Sequence, residues 1–96
     1  MRRLKKSKYK SVVIKKKRYY FYKITWLDIT GDSGHADLHT AEGFMPSEMI
    51  THAYLLHKDK KNVRTFASYE ANDELFSDRN VFPRGCIVKM EKINEK

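Results

Sequence analysis

The sequence predicts a mainly β fold, a small antiparallel barrel of five short strands preceded by a basic N-terminal arm. Three observations support this prediction. Stretches rich in aromatic and β-branched residues alternate with turn signals over about 75 residues. The chain has no internal repeat and no long amphipathic pattern. With 96 residues it supports one domain with one modest core, and closing the sheet would hide most strand edges.

The first predicted strand is the aromatic stretch 19–29, "YYFYKITWLDI". Alternation places Tyr20, Tyr22, Ile24 and Trp26 on one face, where core packing is the expected role of the rings. The segment Gly31–Gly34 follows as a turn, with Ser33 as its hydrogen-bonding residue.

The remaining elements follow from turn residues and short apolar runs. Pro46 forbids a continuous helix through residues 35–48, which leaves at most a helical turn at 36–42, ended by Gly43. The polar turn Asp59–Asn62 separates two strands that pair as a hairpin. Pro83, Arg84 and Gly85 form a tight connection before the last strand. The predicted later strands are 48–58, 63–69, 79–82 and 86–93.

The positive charge is concentrated at the N-terminus. Residues 1–23 hold 11 of the 20 Lys and Arg residues and no acid, whereas residues 24–96 carry a net charge of −3. Such cationic blocks are typical of interaction tails that bind phosphate. We therefore divide the chain into a basic arm at 1–18, with a short extended piece at Ser11–Ile14, a barrel at 19–93 and a tail at 94–96.

Two catalytic interpretations of residues 30–39 are rejected. Gly31-Asp32-Ser33-Gly34 has the letters of a serine-protease nucleophile, but a chain this short lacks room for the distant triad partners. His35, Asp37 and His39 would share one face of a strand, yet no thiolates accompany them as zinc ligands. No carboxylate pair or glycine-rich phosphate loop is present. We expect no enzyme activity, no cofactor and no metal.

Cys86 is the only cysteine, which suits a reducing compartment. No apolar run approaches the ~20 residues that span a membrane, and the apolar centre at Val12–Ile14 is too short for a secretory signal. We expect a soluble protein of the cytoplasm.

Basic and aromatic residues are mixed through the arm and the start of the first strand, over residues 8–22, a pattern typical of single-stranded nucleic-acid binding. Lysines hold phosphates, and aromatic rings stack on unpaired bases for ~1–3 kcal/mol each. The candidate phosphate contacts are Lys15, Lys16, Lys17 and Arg18.

Two further motifs resemble the Sm-like proteins. The first is Ala53-x-Leu55-x-x-x-Asp59-x-x-Asn62, and the second runs from Val81 to Ile87 through Arg84-Gly85. The resemblance implies an SH3-like or Sm-like barrel in a ring, whose loops grip a base of single-stranded RNA. By resemblance Asp59, Asn62, Arg84 and Gly85 would form the site, with Lys61 near the stacking position. Ala53 departs from the usual glycine, the loop before Asn62 is one residue short, and Pro83 precedes the Arg-Gly pair.

A second resemblance spans about residues 22–93. The stretches "ITWLDITGDSG", "MPSEMITHAYLL", "TFASY" and "DRNVFPRGCI" are similar to small bacteriophage proteins, of cyanophage type, that have no established role. We therefore expect a phage-type Sm-like protein that binds single-stranded RNA as a homo-oligomer joined through edge strands, "RNVF" and "CIVKMEKI" being the candidates. The main alternative is a phage accessory protein that binds a host protein or a small ligand without nucleic acid. A third interpretation is a structural virion protein or ribosome-associated protein with a basic extension.

Overall fold

The computed structural model describes residues 8–95 and consists mainly of β-strands. The mainly β, antiparallel prediction is confirmed, and each predicted strand is present within three residues of its expected bounds. The elements are β1 (Ser11–Ile14), β2 (Lys17–Asp28), α1 (Leu38–Glu42), β3 (Ser47–Lys58), β4 (Asn62–Tyr69), β5 (Phe76–Pro83), a 3₁₀ turn (Arg84–Cys86) and β6 (Ile87–Lys92).

Strand β2 is the centre of the sheet. One edge pairs with β3 over Phe21–Asp28, and the other pairs first with β1 over Lys17–Tyr20 and then, further along, with β6 over Tyr22–Trp26. Strand β4 pairs with β3, and β5 pairs with β4. Within residues 8–95 no ladder joins β5 to β6 or β1, so the sheet is open.

The structure has six strands where the sequence predicts five, because part of the basic arm joins the sheet. Lys10 donates its N–H to the Ile93 carbonyl (2.8 Å) and accepts from the Phe21 N–H (2.9 Å). Ile14 is only 5% exposed. The β-branched residues before the turn favour a strand, and the unpaired edge of β2 supplies its partner. Residues 1–7 of the predicted arm and Lys96 of the predicted tail lie outside the described part of the chain.

The main core lies on the face of β2 that alternation predicts. Ile24, Val63 and Phe82 are buried together, with Tyr22 and Trp26 packed against them. The rings of Trp26 and Phe82 meet edge to face at 5.3 Å, and Trp26 Nε1 donates to Thr51 Oγ1 at 2.9 Å. The ring of this half-buried tryptophan is therefore packed, and its N–H has a hydrogen-bond acceptor.

A second cluster of aromatic rings surrounds Phe66, which is fully buried. Its ring lies 4.7 Å from that of Phe76, 5.3 Å from Tyr54 and 5.4 Å from Tyr19. Strand β3 pairs with β2 up to Tyr54 and with β4 from Tyr54 onward, so Tyr54 has a partner on each side, and the register with β4 shifts after Leu55. Bulges bend strands in this way, and here the change of partner accompanies a second packing cluster.

The segment between β2 and β3 is a long connection rather than a tight turn. In the Gly31–Gly34 segment the hydrogen-bonding side chain is Asp32, whose Oδ1 accepts from the Gly34 N–H at 2.8 Å. The prediction of Ser33 in this role is wrong, because the carboxylate of the preceding residue reaches the same donor. The helical turn predicted at 36–42 is present as α1, and Gly43 is its C-cap.

Replacing Phe66 with alanine is expected to lower the free energy of unfolding by about 3–5 kcal/mol, because the cavity would be lined by rings that cannot collapse into it. Urea unfolding measures the change. Val88→Ala, at a side chain 53% exposed on β6, is the control and should stay within ~0.5 kcal/mol of the parent. Similar losses for both variants would contradict the second packing cluster.

Candidate nucleic-acid interface

The two loops predicted to form the site lie against each other. The Arg84 N–H donates to the Lys61 carbonyl at 2.8 Å, and Arg84 Nη1 donates to the Asp59 carbonyl at 2.9 Å. The structure thus brings together Asp59, Lys61, Asn62, Arg84 and Gly85, which we call the loop pair. A Cβ added at Gly85 would meet no atom within 4 Å, so packing does not require glycine there.

Asp59 organises the first loop. Its Oδ1 accepts from the N–H groups of Asn62 (2.8 Å) and Lys61 (2.9 Å), and its Oδ2 lies 3.1 Å from Arg64 Nη1. The backbone donors of Asn62 and Lys61, followed by Arg64, lower the pKa of Asp59 from 3.8 to about 2. The carboxylate is therefore ionised at neutral pH, and the loop and Arg64 occupy both of its oxygens.

The loop pair is positively charged although residues 24–96 are acidic overall. Asp59 is the single acid beside five basic residues, and these are five of the nine in residues 24–96. Four of the five, all but Arg64, belong to exposed residues. An anionic ligand would therefore meet a local cationic surface here. The basic residues are Lys58, Lys60, Lys61, Arg64 and Arg84.

Three of these cations, Lys58, Lys60 and Arg64, are absent from the sequence-predicted site. Arg64 lies two residues after Asn62 in β4, so strand alternation would have placed both on one face. Lys58 ends β3 immediately before the loop. The positive charge of the residues that flank the motif is the sequence feature by which they could have been included in the site.

The other predicted contacts lie at the turn between β1 and β2. Lys15 and Lys16 have φ angles of 50° and 66°, and they connect Ile14 directly to Lys17. Positive φ at both central positions is the geometry of a type I′ hairpin turn, which favours Asn-Gly. Lysines in this conformation carry a backbone cost that Asn-Gly would avoid.

The structure separates these lysines from the loop pair. Lys15 Nζ lies 3.6 Å from Glu74 Oε1, in the loop that connects β4 to β5. The loop pair lies at the opposite end of β4, which at ~3.3 Å per residue is about 23 Å away. Arg18 Nη1 donates to Ser11 Oγ at 2.6 Å. The predicted residues therefore form two patches rather than one.

Lysine ammonium groups lie over aromatic rings along the N-terminal strands. Lys10 Nζ is 4.2 Å from the Phe21 ring centroid, and Lys92 Nζ is 4.3 Å from Tyr20 and 5.1 Å from Tyr9. The Tyr9 and Tyr20 rings are nearly perpendicular, at 87°. The cation–π contacts stabilise the strand pairing. They also place lysine charge beside half-buried aromatic rings.

One carboxylate of residues 35–39 has a structural role. Asp37 caps α1 by accepting from the Thr40 N–H at 2.8 Å, and this hydrogen bond lowers the pKa of Asp37. Across residues 8–95, no three His, Cys, Asp or Glu side chains are grouped so that they could hold a metal ion. The same residues include no helix with the length and apolarity needed to cross a membrane.

Comparisons with family models, with curated proteins and with solved structures return no match to this chain.

The Asp59 carboxyl is expected to titrate near pH 2, well below an ordinary aspartate at ~3.9. Its contribution to stability is present above about pH 4 and is lost as the pH falls through about 2. Carbon-detected NMR of the side-chain carboxyl measures the midpoint. In Arg64→Gln the pKa should rise yet stay below the ordinary value, because the two backbone donors remain. A wild-type midpoint near 3.9 would contradict the described loop.

Proposed function

We propose that this chain is a phage-type Sm-like protein that binds single-stranded RNA at the loop pair, as a ring of identical subunits in the host cytoplasm. In this proposal the chain is a binding protein and not an enzyme. The observation that carries the proposal is the Arg84–Asp59 contact, which joins the two loops named by the Sm-like resemblance into one cationic surface.

The topology supports an SH3-like or Sm-like barrel. After β5 the chain makes one 3₁₀ turn, and β6 then returns to pair with β2, the first long strand. Strand β3 changes partner from β2 to β4 at Tyr54. A bent sheet whose last strand returns to its first is the arrangement expected of a small closed barrel.

The chemistry of the loop pair supports RNA. The Arg84 guanidinium, in an exposed residue, is held in place by the Asp59 carbonyl, which reduces the entropy lost when it binds a ligand. Asn62 offers an amide that can donate to and accept from a base edge. Single-stranded RNA presents both unpaired base edges and phosphates, so it matches the amide and the surrounding cations together.

The strand edges support a ring. Within residues 8–95, β5 pairs on one edge only, and so does β6. A cavity of about 660 Å³ lies along β5, lined in part by Leu56, Thr65 and Val81. Among the described residues, the buried Thr65 Oγ1 has no hydrogen-bond partner. Strand β6 of a neighbouring copy would extend the sheet at β5, and the repeated head-to-tail contact would close a ring.

Asn62→Ala with Arg84→Ala is expected to weaken binding to a short single-stranded RNA by about 1–3 kcal/mol. The slope of log K against log salt should fall by ~0.7 if Arg84 contacts one phosphate. Lys23→Ala with Asn72→Ala is the control, since it likewise removes one cation and one amide, at positions outside the loop pair and outside the strand edges proposed to form the ring. Equal losses in the two double variants would contradict the loop pair as the site.

Lys15→Asn with Lys16→Gly tests the hairpin lysines without harming the fold. Asn-Gly suits the turn, so the free energy of unfolding should rise by about 1 kcal/mol. If both lysines contact phosphate, the RNA salt slope should fall by ~1.4. Fluorescence anisotropy and urea unfolding measure the two effects. Unchanged RNA binding in this more stable variant would show that the hairpin is not part of the RNA interface.

The salt dependence of the wild type, compared with that of the loop-pair variant, decides between the two candidate functions. Binding that survives ~200 mM salt and depends on the loop pair supports the RNA proposal, because tail electrostatics alone weaken steeply with salt. Absence of RNA binding at low salt overturns it and favours the accessory protein that binds a host protein or a small ligand.

A further inference from the structure

Residues 28–49, which we call the acidic loop, present apolar side chains to solvent. Every residue from 31 to 50 is exposed, and α1 contains no buried residue. Single exposed apolar residues are ordinary on a protein surface. Here five large ones occur in one segment, and neither core uses them. They are Ile29 (93% exposed), Leu38 (74%), Met45 (71%), Phe44 (50%) and Met49 (39%).

Hydrogen bonds nevertheless hold the acidic loop in a defined conformation. At its base the Ser47 N–H donates to Thr30 Oγ1 at 3.0 Å, and the two hydroxyl oxygens of these residues lie 2.9 Å apart. Asp32 and Asp37 each accept a backbone N–H within the loop, at 2.8 Å. Polar bonds thus hold a defined shape although the loop buries none of its apolar groups, which is typical of a surface shaped for a partner.

The charge of the acidic loop identifies that partner as a cation-rich surface. Residues 28–49 contain five acids and no Lys or Arg. The apolar side chains are therefore interspersed with carboxylates. Nucleic acid and anionic lipid are repelled by this charge. A complementary partner is basic and carries some apolar surface of its own.

The same chain carries such a surface in the β1–β2 hairpin. Residues 8–23 contain seven Lys or Arg residues and no acid. Val13 is 40% exposed on β1, and Lys15–Lys17 are exposed at the turn. We propose that the acidic loop of one copy docks on the β1–β2 hairpin of a second copy.

This contact joins two different surfaces, so it is heterologous and leaves one surface of each kind unused at the ends of an open assembly. It is separate from pairing between strand edges. Its charge complementarity makes it weaken as salt rises. One consequence rests on the proposed function: RNA held by Lys15–Lys17 would compete with the acidic loop of a neighbouring copy.

Sedimentation velocity of full-length variants at low salt tests the contact. Every protein carries Val81→Glu, which blocks pairing through β5. The loop variant adds Leu38→Ser, Glu42→Lys and Phe44→Ser, all at exposed positions. The hairpin variant adds Lys15→Glu, Lys16→Glu and Lys17→Glu. We expect the Val81→Glu parent to self-associate and each variant alone to sediment as a monomer.

An equimolar mixture of the two variants is the decisive sample. The loop variant keeps an intact hairpin and the hairpin variant keeps an intact loop, so the mixture should form a dimer of one copy of each and nothing larger. A monomeric parent, a loop variant that associates like the parent, or a mixture without dimers would each overturn the proposal. If the hairpin variant unfolds at a lower urea concentration than the parent does, a variant with Lys15→Asn and Lys16→Gly is used in its place. None of these samples contains RNA, so the outcome is independent of the RNA experiments.

Discussion

The pairing of β2 with three other strands is the constraint on which the rest of the structure depends. Strands β1, β3 and β6 all bond to it, and its alternating residues feed the core around Ile24 on one face and the rings around Phe66 on the other. Because β6 must reach β2, the chain turns sharply at Arg84–Cys86. That turn carries Arg84 to the Asp59–Asn62 loop, so the candidate site follows from the topology.

Charge is distributed along the chain in a way that the net value conceals. The hairpin and the loop pair are cationic, whereas the acidic loop and the segment 70–78 carry most of the acids. A body with a net charge of −3 therefore still offers phosphate a local positive surface. The same segregation gives two copies of the chain complementary surfaces, since one region of each copy attracts a different region of the other.

Much of the fold follows from local patterns in the sequence. Strands β3 and β4 and the capped turn α1 are predicted by alternation, turn residues and Gly43. The extended piece at Ser11–Ile14 is also predicted, but its place in the sheet is not, because composition alone does not reveal that the edge of β2 needs a partner. The cluster around Phe66 depends on the shift of β3 after Leu55, and the charge at the loop pair depends on Arg64. Both are tertiary consequences that a linear pattern does not encode.

The central claim is that Asp59–Asn62 and Arg84–Gly85 form one surface for single-stranded RNA. The most direct measurement is a titration of ¹⁵N-labelled full-length protein with a short single-stranded RNA of mixed sequence, followed by amide chemical shifts. Our account predicts that the largest changes fall on Lys61, Asn62 and Gly85, with smaller ones at Lys15–Lys17. Shifts confined to residues 8–23, or no shifts at low salt, would contradict it.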